Sequence, residues 1–157
     1  MEVKFILSSD LSNNIGYNND LIYKSRKDLD FFKEQTVNSI IVMGRNTWYS
    51  LPNKPLKYRV NVILSTTINK INGALVYSDI NSLISSFKNS HKSIYIIGGA
   101  KVYYSFLNHN NIFITDIYLN RFCNYIREKN GLISYTIDEN KFNKISEISM
   151  IDDTKYT

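Results

Sequence analysis

Apolar and polar positions alternate in two ways along the chain, with strand-like and helix-like runs taking turns through its first two thirds. Short runs of β-branched and aromatic residues with almost no charge occupy residues 4–8, 39–43, 59–65, 74–78, 93–97 and 112–119. Such runs predict strands, because these side chains suit a pleated surface buried on both faces. Between them, residues 26–34, 46–51, 80–88 and 101–107 carry apolar residues three and four apart, the spacing of one helix face. Alternating strands and helices predict an α/β sheet with crossover connections. The last third loses the helical spacing and reads as a strand meander, with a further strand expected at 144–150, so the sheet is expected to be mixed. Residues 122–131 show no period and are expected to form a long loop.

Three predicted strands end in residues suited to an anion. "SIYIIGGAKVYYSF" runs from a strand through Gly98, Gly99 and Ala100 into a helix. A turn free of side chains at a helix start leaves backbone N–H groups open to a phosphate. The plain alternative is a tight βα turn, and the dinucleotide fingerprint G-x-G-x-x-G is absent. "VMGRNTW" repeats the arrangement with Gly44, adds the cation Arg45, and puts Thr47 at a helix start. "VILSTT" ends a strand in the hydroxyls of Ser65 and Thr66. In an open α/β sheet ligands bind outside the carboxyl ends of strands. The three ends together point to a dinucleotide more strongly than any one of them.

A different chemistry lies in "SRKDLDFFKEQT". Ser25 followed three residues later by Asp28 fits a helix-start cap. Projected at about 100° per residue, Asp28 shares an arc with Leu29, Phe31 and Phe32, while Asp30 and Lys33 face away. A carboxylate on an apolar face calls for a donor, and a ligand with adjacent N–H groups supplies one. Capping and ligand binding are both open to Asp28, and one residue can do both.

Composition narrows the classes. The 157 residues suffice for one domain with a real core, and 43% hydrophobic and 13% aromatic content fit a folded protein. The formal charge of +5 comes from scattered lysines, with no basic stripe or block, which argues against nucleic acid as a partner. Cys123 is alone and has no metal-site spacing around it; His91 and His109 sit in polar, loop-like contexts, so no metal is expected. The first residues do not read as a signal peptide and no run is long enough to span a membrane, so a cytoplasmic protein is expected.

The stretches "NNIGYNNDL", "KDLDFFK", "IIVMGRNTWYSL", "RVNVILS", "IYIIGGAKVYYSFL" and "IFITDI" occur in the order and spacing of one family. Over nearly its whole length the chain resembles the dihydrofolate reductases. The resemblance implies a mainly parallel, mixed sheet of the eight-stranded type with flanking helices. It implies reduction of dihydrofolate to tetrahydrofolate with NADPH, by hydride transfer to pterin C6 and protonation of N5. It also implies residue roles. Asp28 would be the pocket acid facing the pterin N–H groups, with Thr115 supporting it. Ile6 and Ile97 would offer carbonyls to the pterin, and Leu29, Phe32, Leu51 and Leu56 would wall it. Arg59 would pair with the glutamate carboxylate of folate.

On the cofactor side the resemblance implies a groove of Ser8, Gly44, Arg45, Thr47, Ser65, Thr66, Gly98, Gly99, Lys101 and Val102. Arg45, Ser65 and Thr66 would read a 2′-phosphate, and Gly98–Gly99 would be a cis peptide. Ile15, Gly16 and Asn19–Leu21 would close over the nicotinamide, and Tyr103 would stand near it. The chain departs from the family where a Pro-Trp pair is usual: Ile22–Tyr23 stands there, with the Tyr23 hydroxyl the candidate to organise the proton-delivering water. Leu7 and Ser8 replace two small residues at the end of the first strand. The family's last strand, of the kind Y-x-F, is expected to be cut short at residues 155–157. The protein is expected to be a monomer or one part of a fusion with thymidylate synthase. The alternatives are a non-catalytic NADPH- or folate-binding relative and a riboflavin-pathway pyrimidine reductase of related fold, which lacks the Asp28 helix and Arg59.

Overall fold

The computed structural model describes residues 1–17, 20–21, 23–123, 131–143 and 155–156. The expected strand at 144–150 lies outside them, as do residues 124–130 of the expected loop.

The chain opens with β1 (Val3–Ser9), followed by three short strands, β2 (Asn14–Tyr17), β3 (Asp20–Leu21) and β4 (Tyr23–Lys24). Helix α1 (Arg26–Thr36), strand β5 (Ile40–Gly44) and helix α2 (Arg45–Ser50) come next. Then follow β6 (Val60–Leu64), β7 (Leu75–Tyr77), α3 (Ile80–Phe87), β8 (Ile94–Gly98), α4 (Ala100–Leu107), β9 (Ile114–Arg121), β10 (Leu132–Ser134) and β11 (Lys155–Tyr156). The helices start as their sequences dictate. Ser25 caps α1 by accepting from the Asp28 N–H, and Asp79 caps α3 by accepting from Ser82.

Six strands form one sheet in the order β7-β6-β5-β8-β1-β9, and every adjacent pair is parallel. Among the described residues the antiparallel strand pairs lie in two small sheets, β10-β2-β3 and β11-β4. Among the described residues the large sheet is parallel and the mixture of directions comes from the small sheets. Of the residues where a shortened last strand is expected, Lys155 and Tyr156 pair with Lys24 and Tyr23.

Apolar residues on both strand faces produce two core layers. Val3, Phe5, Leu7, Ile40, Val42, Ile94 and Ile96 pack on one side with α3 and α4 residues Leu83, Val102 and Phe106. Ile6, Ile41, Met43, Ile63 and Tyr95 pack on the other with Trp48 of α2 and Phe31 and Phe32 of α1. This two-sided burial explains why the strands read as continuous apolar runs.

The chain passes outward from β5 through β6 to β7, then returns to insert β8 between β5 and β1. Met43 of β5 lies beside Gly98 of β8. The carboxyl ends of β5 and β8, each leading straight into a helix, are thus neighbours at the point where strand order reverses, the place an open parallel sheet offers a crevice. Among the described residues no helix is long and apolar enough to cross a membrane.

Candidate functional site

A cleft of about 1270 Å³ opens along those strand ends. Its two halves differ in chemistry. One runs between α1 and β1 and centres on an acid; the other runs over the starts of α2 and α4 and is lined by glycine and hydroxyls.

In the first half Asp28 is only 8% exposed, although it stands in the first turn of a surface helix. Its backbone N–H goes to Ser25, so it takes part in the cap, while its carboxylate turns into the cleft. Among the described residues two side chains meet that carboxylate. Ser8 Oγ lies 2.9 Å from each of its oxygens, and Asn120 Nδ2 donates to Oδ1 at 2.7 Å. Ser8, expected on the cofactor side, thus also bonds the acid.

Ile6, Leu29, Phe32, Leu51, Leu56 and Ile97 line the same half, with Phe31 and Tyr118 beside them. Leu29 is 46% exposed, so it stands at the rim. Lys33, expected to face away with Asp30, lines the cleft instead. The Ile6 carbonyl accepts a 2.8 Å bond from the buried Tyr103 hydroxyl. Burial raises the pKa of that phenol far above its ordinary value, so it remains a donor. Arg59 closes the outer end. Its Nη1 donates to Thr36 Oγ1 at 3.1 Å and its Nε to the Lys57 carbonyl at 3.0 Å, and its guanidinium stands 5.8 Å from the centre of the Phe32 ring. Partial burial lowers its pKa from the ordinary arginine value.

Thr115 does not join this half. Its hydroxyl donates to the Val3 carbonyl, at the start of β1, and it does not line the cleft. The parallel register explains the displacement. Ser8 pairs with Asn120 and Ile6 with Tyr118, so the acid meets β9 five residues beyond Thr115, about 16 Å further along a strand. The short match "IFITDI" carries no register information. The signal that would have found Asn120 is the length of β9 set against β1, with their carboxyl ends aligned.

In the second half, Gly44 N-caps α2 and Gly99 N-caps α4, neither with a side-chain cap bond. The start of α4 therefore presents backbone N–H groups to the cleft. The walls need their glycines. A Cβ on Gly44 would stand 3.1 Å from Val102 Cγ2, and Gly98 holds a φ of +128°. Gly98–Gly99 is a cis peptide. Thr47, Lys101 and Val102 line the floor. Arg45 Nη1 donates to Thr67 Oγ1 at 2.8 Å, and Thr67 in turn lies 3.2 Å from Ser65 Oγ. Ser65, Thr66 and Thr67 all line the groove beside Arg45. Thr67, Asn46 and Ser78 were not anticipated; each stands next to an anticipated residue or at a strand end, which was the available signal.

Ile15, Gly16 and Leu21, on the hairpin of β2 and β3, line the cleft mouth. Strand β10 pairs with β2 and brings Ile133 against Gly16. Asn19 lies outside the described residues, and of Tyr23 the backbone alone is described, within β4. Cys123 is exposed.

Bare glycine walls, free helix N–H groups and an arginine among hydroxyls fit a phosphate-bearing dinucleotide. A buried carboxylate among aromatic side chains fits a flat ring with N–H donors. Comparison with known proteins agrees. The dihydrofolate reductase family model matches residues 2–157. The chain is 37% identical over 98 residues to a bifunctional dihydrofolate reductase-thymidylate synthase of Paramecium tetraurelia, covering 62% of the chain and 21% of that protein. It is 40% identical over 105 residues to a dihydrofolate reductase of Buchnera aphidicola from Acyrthosiphon pisum, covering 66% of the chain and 64% of that protein. A second Buchnera dihydrofolate reductase, from Schizaphis graminum, is 34% identical over 124 residues, covering 74% of the chain and 71% of that protein. The chain thus spans about a fifth of the Paramecium relative and less than two thirds of the first Buchnera one. Family model, relatives and cleft agree: this chain belongs to the dihydrofolate reductase family, whose members are oxidoreductases that use a nicotinamide cofactor.

Proposed function

We propose that the chain reduces 7,8-dihydrofolate to 5,6,7,8-tetrahydrofolate with NADPH, adding hydride at pterin C6 and a proton at N5. The observation that carries this reading is Asp28: a buried carboxylate on an apolar wall, facing a cleft whose other half is glycine-walled and cationic.

In this reading Asp28 accepts the N–H groups of the pterin and fixes which face of the ring is presented. Ile6, Leu29, Phe32, Leu51, Leu56, Ile97 and Tyr103 shape the surrounding wall. Arg59, already held by Thr36 and the Lys57 carbonyl, keeps N–H groups for the glutamate carboxylate of the substrate. Gly44, Thr47, Gly98, Gly99, Lys101 and Val102 would hold the cofactor, with Arg45, Ser65, Thr66 and Thr67 around its 2′-phosphate. The bound cofactor supplies the hydride. Asp28 polarises the ring while a water carries the proton to N5, and Ile15, Gly16, Asn19 and Leu21 exclude bulk solvent. Tyr23 is the residue assigned to order that water. The protein acts as a cytoplasmic monomer or as one part of a longer fusion.

The test is oxidation of NADPH in the presence of dihydrofolate, followed by absorbance, for the chain and for Asp28→Asn. Turnover in the first and a loss of at least about a hundredfold in the second is expected, the scale of one positioned acid–base group. A folded chain with no turnover would overturn the enzyme reading and leave a binding relative.

A further inference from the structure

The Asp28 carboxylate is gripped by its own protein. A carboxylate on its own swings about a broad, two-fold terminal torsion. Here the Ser8 hydroxyl lies 2.9 Å from both oxygens and the Asn120 amide donates to Oδ1 at 2.7 Å. The Asn120 amide turns its NH2 toward Oδ1, which accepts. The two donors are cross-strand partners in the parallel register of β1 and β9, while the acid comes from α1. Two adjacent strands of the main sheet thus set the rotation of a group carried by a helix.

We propose that Ser8 and Asn120 act as a pair of positioning residues that orient Asp28 and so set affinity for the substrate ring. A carboxylate has about four lone-pair sites. The serine proton and one amide proton engage two, which leaves two for a ligand in the cleft that Asp28 lines, the number that two parallel N–H donors on one ring edge need. With either donor gone the carboxylate rotates, and ligand binding must then order it. This inference rests on the reading of the cleft as a pterin site.

The experiment measures kcat and the KM values for dihydrofolate and NADPH in the full chain, Ser8→Ala, Ser8→Thr, Asn120→Ala and the isosteric Asn120→Asp, with melting followed by circular dichroism. Each alanine variant is expected to raise the dihydrofolate KM roughly tenfold, the scale of a lost hydrogen bond to a charge, and Asn120→Ala to leave the NADPH KM within about twofold. Ser8→Thr keeps the hydroxyl and restores the KM. Asn120→Asp removes the donor, sets a second carboxylate beside the first, and is the worst of the set. Alanine variants with an unchanged dihydrofolate KM, or an Asn120→Ala variant with both KM values raised alike, would overturn the proposal. An unsubstituted chain that is folded but has no turnover would overturn the underlying reading instead, so the two failures are distinct.

Discussion

The Tyr103 hydroxyl donates a 2.8 Å hydrogen bond to the Ile6 carbonyl and so ties helix α4 to strand β1 across the floor of the cleft. Tyr103 is 2% exposed, and its ring lies between Phe5 at 5.1 Å and Tyr135 at 5.2 Å. Phenylalanine would preserve these ring contacts and remove the donor. Tyr103→Phe is therefore expected to cost about 1–3 kcal/mol, the penalty for a buried carbonyl that loses a partner. At roughly 2–4 °C per kcal/mol for a chain of this size, thermal melting resolves it easily. An unchanged melting temperature would show that water replaces the hydroxyl.

Arg59 makes a second prediction about geometry rather than charge. Its Nε and Nη1 are engaged by the Lys57 carbonyl and Thr36, which leaves the rest of the guanidinium in a fixed orientation. A lysine keeps the charge and loses the planar fork. Arg59→Lys is expected to raise the dihydrofolate KM by roughly 10–100-fold, the scale of a lost charge-assisted pair. The same variant should treat a pterin substrate without the glutamate tail as the unsubstituted chain does. Equal losses on both substrates would place Arg59 outside glutamate recognition.

The cluster of Arg45, Ser65 and Thr67 predicts cofactor choice. Arg45 is drawn onto Thr67, which also contacts Ser65, so one cation and two hydroxyls share a small exposed patch of the groove. Arg45→Ala should lower kcat/KM for NADPH by roughly tenfold or more, as removal of a phosphate-binding charge does, and leave NADH little changed. A parallel fall with both cofactors would mean that the arginine shapes the groove without reading the phosphate.

What could be read from the chain followed the range of the interactions. Apolar runs and helical spacing are local, and β5, β6, β8, α1 and α4 fell within a residue or two of their expected bounds. The arc of Asp28, Phe31 and Phe32 is also local, and all three reach the cleft. Lys33 was misplaced because a helix projection gives a direction without saying how wide the opposing cleft is. The register of β1 against β9 is long-range, so Thr115 was expected where Asn120 stands. Strands β2, β3 and β10, of two to four residues, exist through pairing with each other, and no pattern that short announces itself.

The paired glycines allow a test that separates conformation from contact. At Gly98 the nearest atom to an added Cβ would be Thr47 Oγ1 at 3.5 Å, an ordinary contact, so space does not exclude alanine. Its φ of +128° does, because L side chains are strained there. At Gly99 the space is similar, with Thr47 Oγ1 at 3.6 Å, but φ is −91° and the backbone is extended. Alanine is at home in that conformation. Gly98→Ala should therefore lose about 1–3 kcal/mol of stability from backbone strain, read as a fall in melting temperature. Gly99→Ala should melt like the unsubstituted chain and yet show a raised NADPH KM, since its methyl occupies the wall of the groove proposed for the cofactor. If both variants melt normally and bind NADPH normally, the glycines form a turn and nothing more. If both lose stability alike, conformation governs the two positions, and close approach of a ligand is not what they serve.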